Sequence, residues 1–455
     1  MRDLPQGAGT TRLGAVGLIA LSLPSMLFAG FDIARRSYLP LFLTDGFGTT
    51  MTTAALVMAL TGLWGVAMEF GASVLGDHSP TGWGPRRLWI GLGTFGIFGA
   101  TGAMLLIYGA GPGGGLWCLV ALMLALIASW TVCNVTHGAW ALEAGGSARQ
   151  RAGIFGLRGF FAISGATGFA LLAAVMTGGQ ALAGIAPFIA IIAVTGLGIP
   201  LLHGLLVAFV PCSAVPRAEP EGVRILAPLL ILVANPRHRR LALLFGLVGL
   251  HAGIGGSTFL ITARAGFGLG SAADLVLGVS TASAALGALV SARWGAACLN
   301  ERALTLLMML KLALALALLA IPPGDPVVLA GWALVGGLFA TLHLLVLRLL
   351  LGECLDRPTS TKPQGPGRGA LFYAAFHIPL NIGLAAGAGL ALAALGWAGI
   401  ETTANRVEQV SYLAVLVPAF LLSFASLAGI FAVHGVDRLF RINSRDLAAF
   451  SKHPQ

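Results

Sequence analysis

The chain has 455 residues, 57% of them hydrophobic and only 10% charged, with a net charge of +10 and a mean hydropathy of +0.89. A soluble domain of this length cannot bury so much apolar surface, which excludes the soluble enzyme and scaffold classes. The basic excess is scattered over short segments along the whole chain rather than gathered on one surface, so it does not indicate a nucleic-acid partner.

Apolar runs long enough to cross a hydrocarbon core of about 30 Å, roughly 20 residues each, are predicted near 14–43, 51–76, 88–109, 116–142, 153–177 and 184–210. Six more follow near 239–264, 271–292, 303–321, 326–351, 369–398 and 409–436. In lipid such runs must be helical, because every backbone N–H and C=O needs an internal partner. The expected fold is an all-α membrane protein of twelve transmembrane helices in a 6+6 arrangement. Its N-terminal six-helix domain is 1–210, its linker loop 211–238, and its C-terminal six-helix domain with a tail 239–455. The apolar run after Arg12 is too long for a signal-peptide core and continues as the first span.

Of the 27 Lys and Arg residues, 21 fall in the termini and in the loops that share their side. The opposite loops offer Arg264 and Arg406. By the positive-inside rule the basic loops and both termini are cytoplasmic, in a plasma membrane of the bacterial inner-membrane kind. The five cysteines show no paired or metal-ligand spacing.

Charges within spans cost about 2.5–3.5 kcal/mol on insertion scales and call for a partner or a function. Span 1 holds Asp32, Arg35 and Arg36, spaced for an intrahelical ion pair. A self-neutralised pair with the second Arg snorkelling outward is one reading. A polar cavity for an anionic or hydroxyl-rich ligand is the other, and it accounts for the surplus cation. Span 2 holds Glu69 on a face of small residues that includes Gly62 and Gly65; a proton-coupling site and a partner for a neighbouring Arg are both open. Span 4 aligns Trp130, Asn134 and His137 at i, i+4, i+7, suited to a sugar-like or carboxylated solute or to an interhelical clamp. Span 5 carries Arg158, whose guanidinium offers five donors and keeps its charge. Span 11 sets Tyr373, His377 and Asn381 at i, i+4, i+8. Lys311 sits mid-span, and no partner for it can be assigned from the sequence; His251, Asp274 and His343 are further polar positions.

Several motifs resemble one family. They are GDHSPTGWGPRRLWIGLG between spans 2 and 3, NVTHGAWALEAGGSARQRAGIFGLR across spans 4 and 5, VANPRHRRLALLF at span 7, and RLLLGECLDRPTSTKPQGPGRGALF before span 11. Together they are similar to the glycoside–pentoside–hexuronide:cation symporters, the melibiose-permease branch of the major facilitator superfamily. The resemblance implies a transporter with a central site between two six-helix halves. It places Arg158 at the family's sugar-site Arg, Asn134 at its helix-4 Asp and Glu69 at one of two helix-2 acids of the sodium site.

The pattern departs at Gly65, where the second helix-2 acid would stand, at the amide of Asn134, at Ala29, the helix-1 sugar-site acid position, and at Asn381 in place of a Lys. A hard cation such as sodium wants several anionic oxygen ligands, so a proton gradient is the expected coupling and no cofactor is expected. The expectation is a monomeric symporter of a small polar or anionic solute, embedded in the lipid bilayer. Asp32, Arg36, Trp130, Asn134, His137, Arg158, Tyr373, His377 and Asn381 would hold the solute, with Glu69 at the coupling site. An exporter or lipid-type carrier of amphipathic anions on the same fold, or a non-transporting sensor, are the alternatives. No nucleophile motif, metal cluster or nucleotide-binding loop points to an enzyme or an ATP-driven pump.

Overall fold

The computed structural model describes residues 14–78, 85–109, 115–144, 148–176, 185–210, 232, 236–294, 301–356, 368–400 and 408–450. The expected linker 211–238, apart from Leu232 and residues 236–238, lies outside the described residues. So do residues 79–84 of the loop between spans 2 and 3, residues 295–300 between spans 8 and 9, and the stretch 357–367 before span 11. The described residues form helices and turns and contain no strand.

Every expected span is a helix. The first half comprises α1 (Ala15–Gly46), α2 (Met51–His78), α3 (Pro85–Gly109), α4 (Leu116–Ala144), α5 (Ala148–Met176) and α6 (Ile185–Phe209). The second comprises α7 (Pro236–Ile261), α8 (Ala272–Trp294), α9 (Glu301–Ala317), α10 (Pro326–Asp356), α11 (Arg368–Trp397) and α12 (Glu408–Phe450). Eleven described segments are long and apolar enough to cross a membrane. The described apolar stretch of α8, Ala272–Gly287, is shorter. Its 23-residue helix nevertheless reaches ~35 Å at 1.5 Å per residue.

The boundaries depart from hydropathy where polar sequence continues a helix. Helix α12 runs to Phe450 rather than ending near 436, because no proline or glycine pair interrupts HGVDRLFRINSRDLAAF. Helix α1 is not uniform. Pro24 opens its second segment, and two π-helical turns, Ala34–Tyr38 and Phe42–Gly46, widen its distal third. A π turn adds a residue to the helical circuit and so rotates the side chains that follow.

Within the halves, α3 packs on α4 and α6, α1 on α5 and α6, α8 on α10, and α12 on α7 and α9. The α7–α11 pair is extensive and rests on glycine. A Cβ on Gly249 would strike the carbonyl of Leu380, and one on Gly253 that of Leu384. On the facing helix, a Cβ on Gly383 would strike the carbonyl of Gly246, and one on Gly387 that of Leu250. Two small-residue stripes thus bring the backbones together where lipid supplies no hydrophobic drive for association. The halves meet chiefly along α2–α11 and α5–α8. Gly62 lies against Ala385 at the first of these seams, as a packing position should; Gly65 has Ile127 nearby and opens onto a cavity.

Gly253→Leu should overpack the α7–α11 crossing and cost about 1–3 kcal/mol or more. The check is a lowered melting temperature of the purified protein, with Gly99→Leu, where added side-chain atoms meet open space, melting near wild type.

Candidate functional site

Between the halves lies a cavity of about 1020 Å³, walled by α1, α2, α4 and α5 on one side and by α7 to α12 on the other. It is closed at the end away from the chain termini. There Tyr38 Oη of α1 donates to Asp274 Oδ1 of α8 at 2.8 Å. Arg264, just past α7, grips both oxygens of the same carboxylate at 3.0 and 2.9 Å. All three side chains are buried. Ser37 Oγ adds a bond to the Gly256 carbonyl at 3.1 Å. Toward the end that bears the termini, the wall includes the exposed residues Phe155 and Arg348, and this is the mouth. Sequence reading set Arg264 in an outer loop; the fold instead makes it a buried counter-ion in the closure.

The i, i+3 and i, i+4 spacing in α1 brings both of its arginines to one carboxylate. Arg35 Nη2 lies 3.1 Å from Asp32 Oδ1 and Arg36 Nη2 2.6 Å from Oδ2. Neither follows the outward-snorkelling reading, since both line the cavity. Two cations on one anion leave a positive surplus. Arg36 Nε is buried without a hydrogen-bond partner, a donor that a ligand oxygen would satisfy. On α7, Gly256 faces this arginine, and a Cβ there would sit 3.6 Å from that of Arg36, an ordinary contact.

Arg158 reaches the cavity from α5. Its Nε donates to Ser25 Oγ at 3.2 Å and its Nη2 to His137 Nδ1 at 3.2 Å, while the guanidinium carbon stands 5.3 Å from the centre of the Phe155 ring. His137 is fully buried and absent from the cavity wall. Its Nε2 faces the Leu21 carbonyl at 2.6 Å. A ring that donates from Nε2 to a carbonyl keeps Nδ1 as an acceptor, which suits a guanidinium donor. The expected contact of His137 with solute is therefore replaced by a position behind Arg158, because α1 and Arg158 cover it. Trp130 lies against Phe28 and Phe31, with ring centroids 6.1 and 5.4 Å away, and its Nε1 is buried without a hydrogen-bond partner.

Glu69 and Asn381, read from the sequence as separate sites, meet across the seam of the halves. Asn381 Nδ2 donates to Glu69 Oε2 at 2.6 Å. Of the expected residues, Asp32, Arg36, Glu69, Trp130, Asn134, Arg158, His377 and Asn381 line the same cavity. The side chain of Tyr373 lies outside the described residues. Sequence reading did not single out Arg35 or Arg348 as wall residues; the mid-span charge of Lys311 was visible, but its access to the cavity was not. The wall carries five basic side chains, Arg35, Arg36, Arg158, Lys311 and Arg348, against the carboxylates of Asp32 and Glu69.

The architecture is that of a twelve-helix membrane transporter with a central inter-half cavity. The sequence matches the family described as MFS/sugar transport protein over residues 20–441, and the chain belongs to that family, the glycoside–pentoside–hexuronide group its motifs resemble. No curated protein matches it in sequence. Among solved structures it is similar to the nucleoside transporter NupG, at 12% identity and TM-score 0.64 over 91% of this chain and 98% of that one. It is also similar to a bacterial homologue of the human lysosomal transporter Spinster, in an inward-facing and unoccupied conformation, at 13% identity and TM-score 0.62 over 95% and 99%. A D-xylose–proton symporter matches at 13% identity and TM-score 0.58 over 90% and 95%. These likenesses establish the fold. The family and these fold neighbours are membrane transporters rather than enzymes.

Asp274→Asn should leave Arg264 short of its counter-charge inside the closure, at a cost of about 3–5 kcal/mol, and lower the melting temperature sharply. Tyr38→Phe, which removes one neutral donor and keeps the ion pair, should cost less. Equal losses in the two variants would contradict this account of the closure.

Proposed function

We propose that the protein is a proton-coupled symporter of a small anionic, hydroxyl-rich solute of the uronide or glycoside kind, working by alternating access. The observation that carries this reading is the surplus of basic side chains on a cavity shared by both halves, two of them, Arg36 and Arg158, presented from the N-terminal half. A buried guanidinium that keeps its charge is a natural partner for a carboxylate, and aromatic and amide neighbours such as Trp130 and Asn134 suit a sugar ring. The family description and a fold neighbour named for D-xylose and protons support the same class.

With the termini cytoplasmic, as the positive-inside rule predicts, the mouth faces the cytoplasm and the Tyr38–Asp274–Arg264 closure faces outward. Rocking the halves would break that closure and seal the mouth, so the solute meets one side at a time. Glu69 is the coupling candidate. It bridges the seam to Asn381, and the other wall carboxylate, Asp32, is already occupied by two arginines. That leaves too few free anionic oxygens for a sodium site.

In proteoliposomes, an inward-directed proton gradient should drive accumulation of D-glucuronate, and a sodium gradient should not. Glu69→Gln keeps an oxygen to accept the Asn381 N–H, so exchange should persist while stimulation by the proton gradient is lost. Accumulation that still follows the gradient in this variant would remove Glu69 from the coupling role. Arg158→Lys forfeits the fork that reaches Ser25 and His137 together. Charge-assisted bonds of about 1.5–3 kcal/mol translate into a roughly 10- to 100-fold weaker apparent affinity in the same assay.

A further inference from the structure

Lys311 lies near the middle of α9, a helix that packs mainly on α10 and α12. It nonetheless reaches the central cavity. One face of α9, formed by Lys311, Leu314, Ala315 and Leu318, lines the wall, and the 3–4–7 spacing is that of a single helical stripe. Around it the wall is made of small residues, Gly336 and Ala340 of α10 and Gly255 and Gly256 of α7.

The lysine is 5% exposed and has no carboxylate within ion-pairing distance among the described residues. The groups close enough for its charge to act on them are two imidazoles, His251 of α7 and His343 of α10. His251 lines the cavity. His343 is fully buried, and neither of its ring nitrogens meets a hydrogen-bond partner. The cavity wall thus carries an ammonium and a neutral ring with one N–H, with no carboxylate among the described residues paired to the ammonium. A buried charge is ordinarily paired, and the other anionic wall residues are engaged elsewhere.

We propose that Lys311, with His251 on the same cavity wall, forms an anion subsite in the C-terminal half that binds a carboxylate of the transported solute. The solute then spans the cavity, with its hydroxyls toward Arg158, Arg36 and Trp130 and its acid toward Lys311. Bound in this way it ties the two halves together, and it supplies the counter-charge that the lysine lacks. This assignment rests on the solute class proposed above, and it adds the element of that site that would separate acidic from neutral sugars.

The test uses the full-length purified protein and three probes: acetate, the smallest carboxylate, and the pair D-glucuronate and D-glucose, which differ at the acid. Thermal stabilisation and equilibrium binding are measured for wild type, Lys311→Met and Lys311→Arg. Acetate should stabilise wild type and Lys311→Arg, which keeps the charge, but not Lys311→Met. D-glucuronate should bind wild type at least tenfold more tightly than D-glucose, and that preference should vanish in Lys311→Met. In the absence of any probe, Lys311→Met should melt above wild type, since an unpaired charge has been removed. The subsite is overturned if acetate acts equally on wild type and Lys311→Met, or acts on neither. An acetate effect specific to Lys311, with no binding of either sugar, would uphold the subsite and overturn the solute class instead.

Discussion

Placing a guanidinium or ammonium inside a helical bundle removes water that would otherwise solvate it, and the bundle must then arrange compensation from within. Four solutions appear here. Arg264 receives a whole carboxylate from Asp274, and with Tyr38 the trio is packed shut. Arg35 and Arg36 divide Asp32 between them and remain cationic together. Arg158 is held by neutral acceptors, a serine oxygen and an imidazole nitrogen, so its full charge remains available. Lys311 is met by imidazoles alone. The fully neutralised group forms a seal, and the under-compensated ones face the cavity.

This ordering is imposed by backbone geometry as much as by side-chain chemistry. In α1, Asp32 has Arg35 and Arg36 at i+3 and i+4, the two positions that stand beside it on a helix, so one carboxylate serves both. The same helix delivers Tyr38 and Ser37 to the other half only a few residues later. Helix α1 therefore carries both a piece of the binding wall and a piece of the closure, and a change of its tilt would be felt at both. Glycine has the complementary part. It locks α7 to α11 through close backbone contact, and it also lines the cavity wall beside Arg36 and Lys311.

The seam between the halves contrasts with their interiors. The α7–α11 crossing interdigitates backbone with backbone, an arrangement with little tolerance for displacement. Across the seam at the closed end the directional contacts are few: Tyr38 to Asp274 and Ser37 to the Gly256 carbonyl. Hydrogen bonds of this kind contribute about 0.5–1.5 kcal/mol each, well within what binding of a solute and a proton could offset. A bundle built in this way can rock at its seam without repacking its halves.

Hydropathy alone determined the number of crossings, their limits to within a few residues over most of the chain, and the all-helical class, because each span must satisfy its own backbone in lipid. Charge at depth was equally legible: Asp32, Arg36, Glu69 and Arg158 stand out in the sequence because they fall within long apolar runs, and all four line the cavity. What the sequence could not hold was partnership between distant helices. The pairing of Glu69 with Asn381, of Arg264 with Asp274 and Tyr38, and the withdrawal of His137 behind Arg158 join residues from 10 to 312 positions apart. Periodicity places a side chain on a face of its own helix; only the packed bundle decides which neighbour that face meets, and hence whether a charge becomes a seal, a support or a binding group.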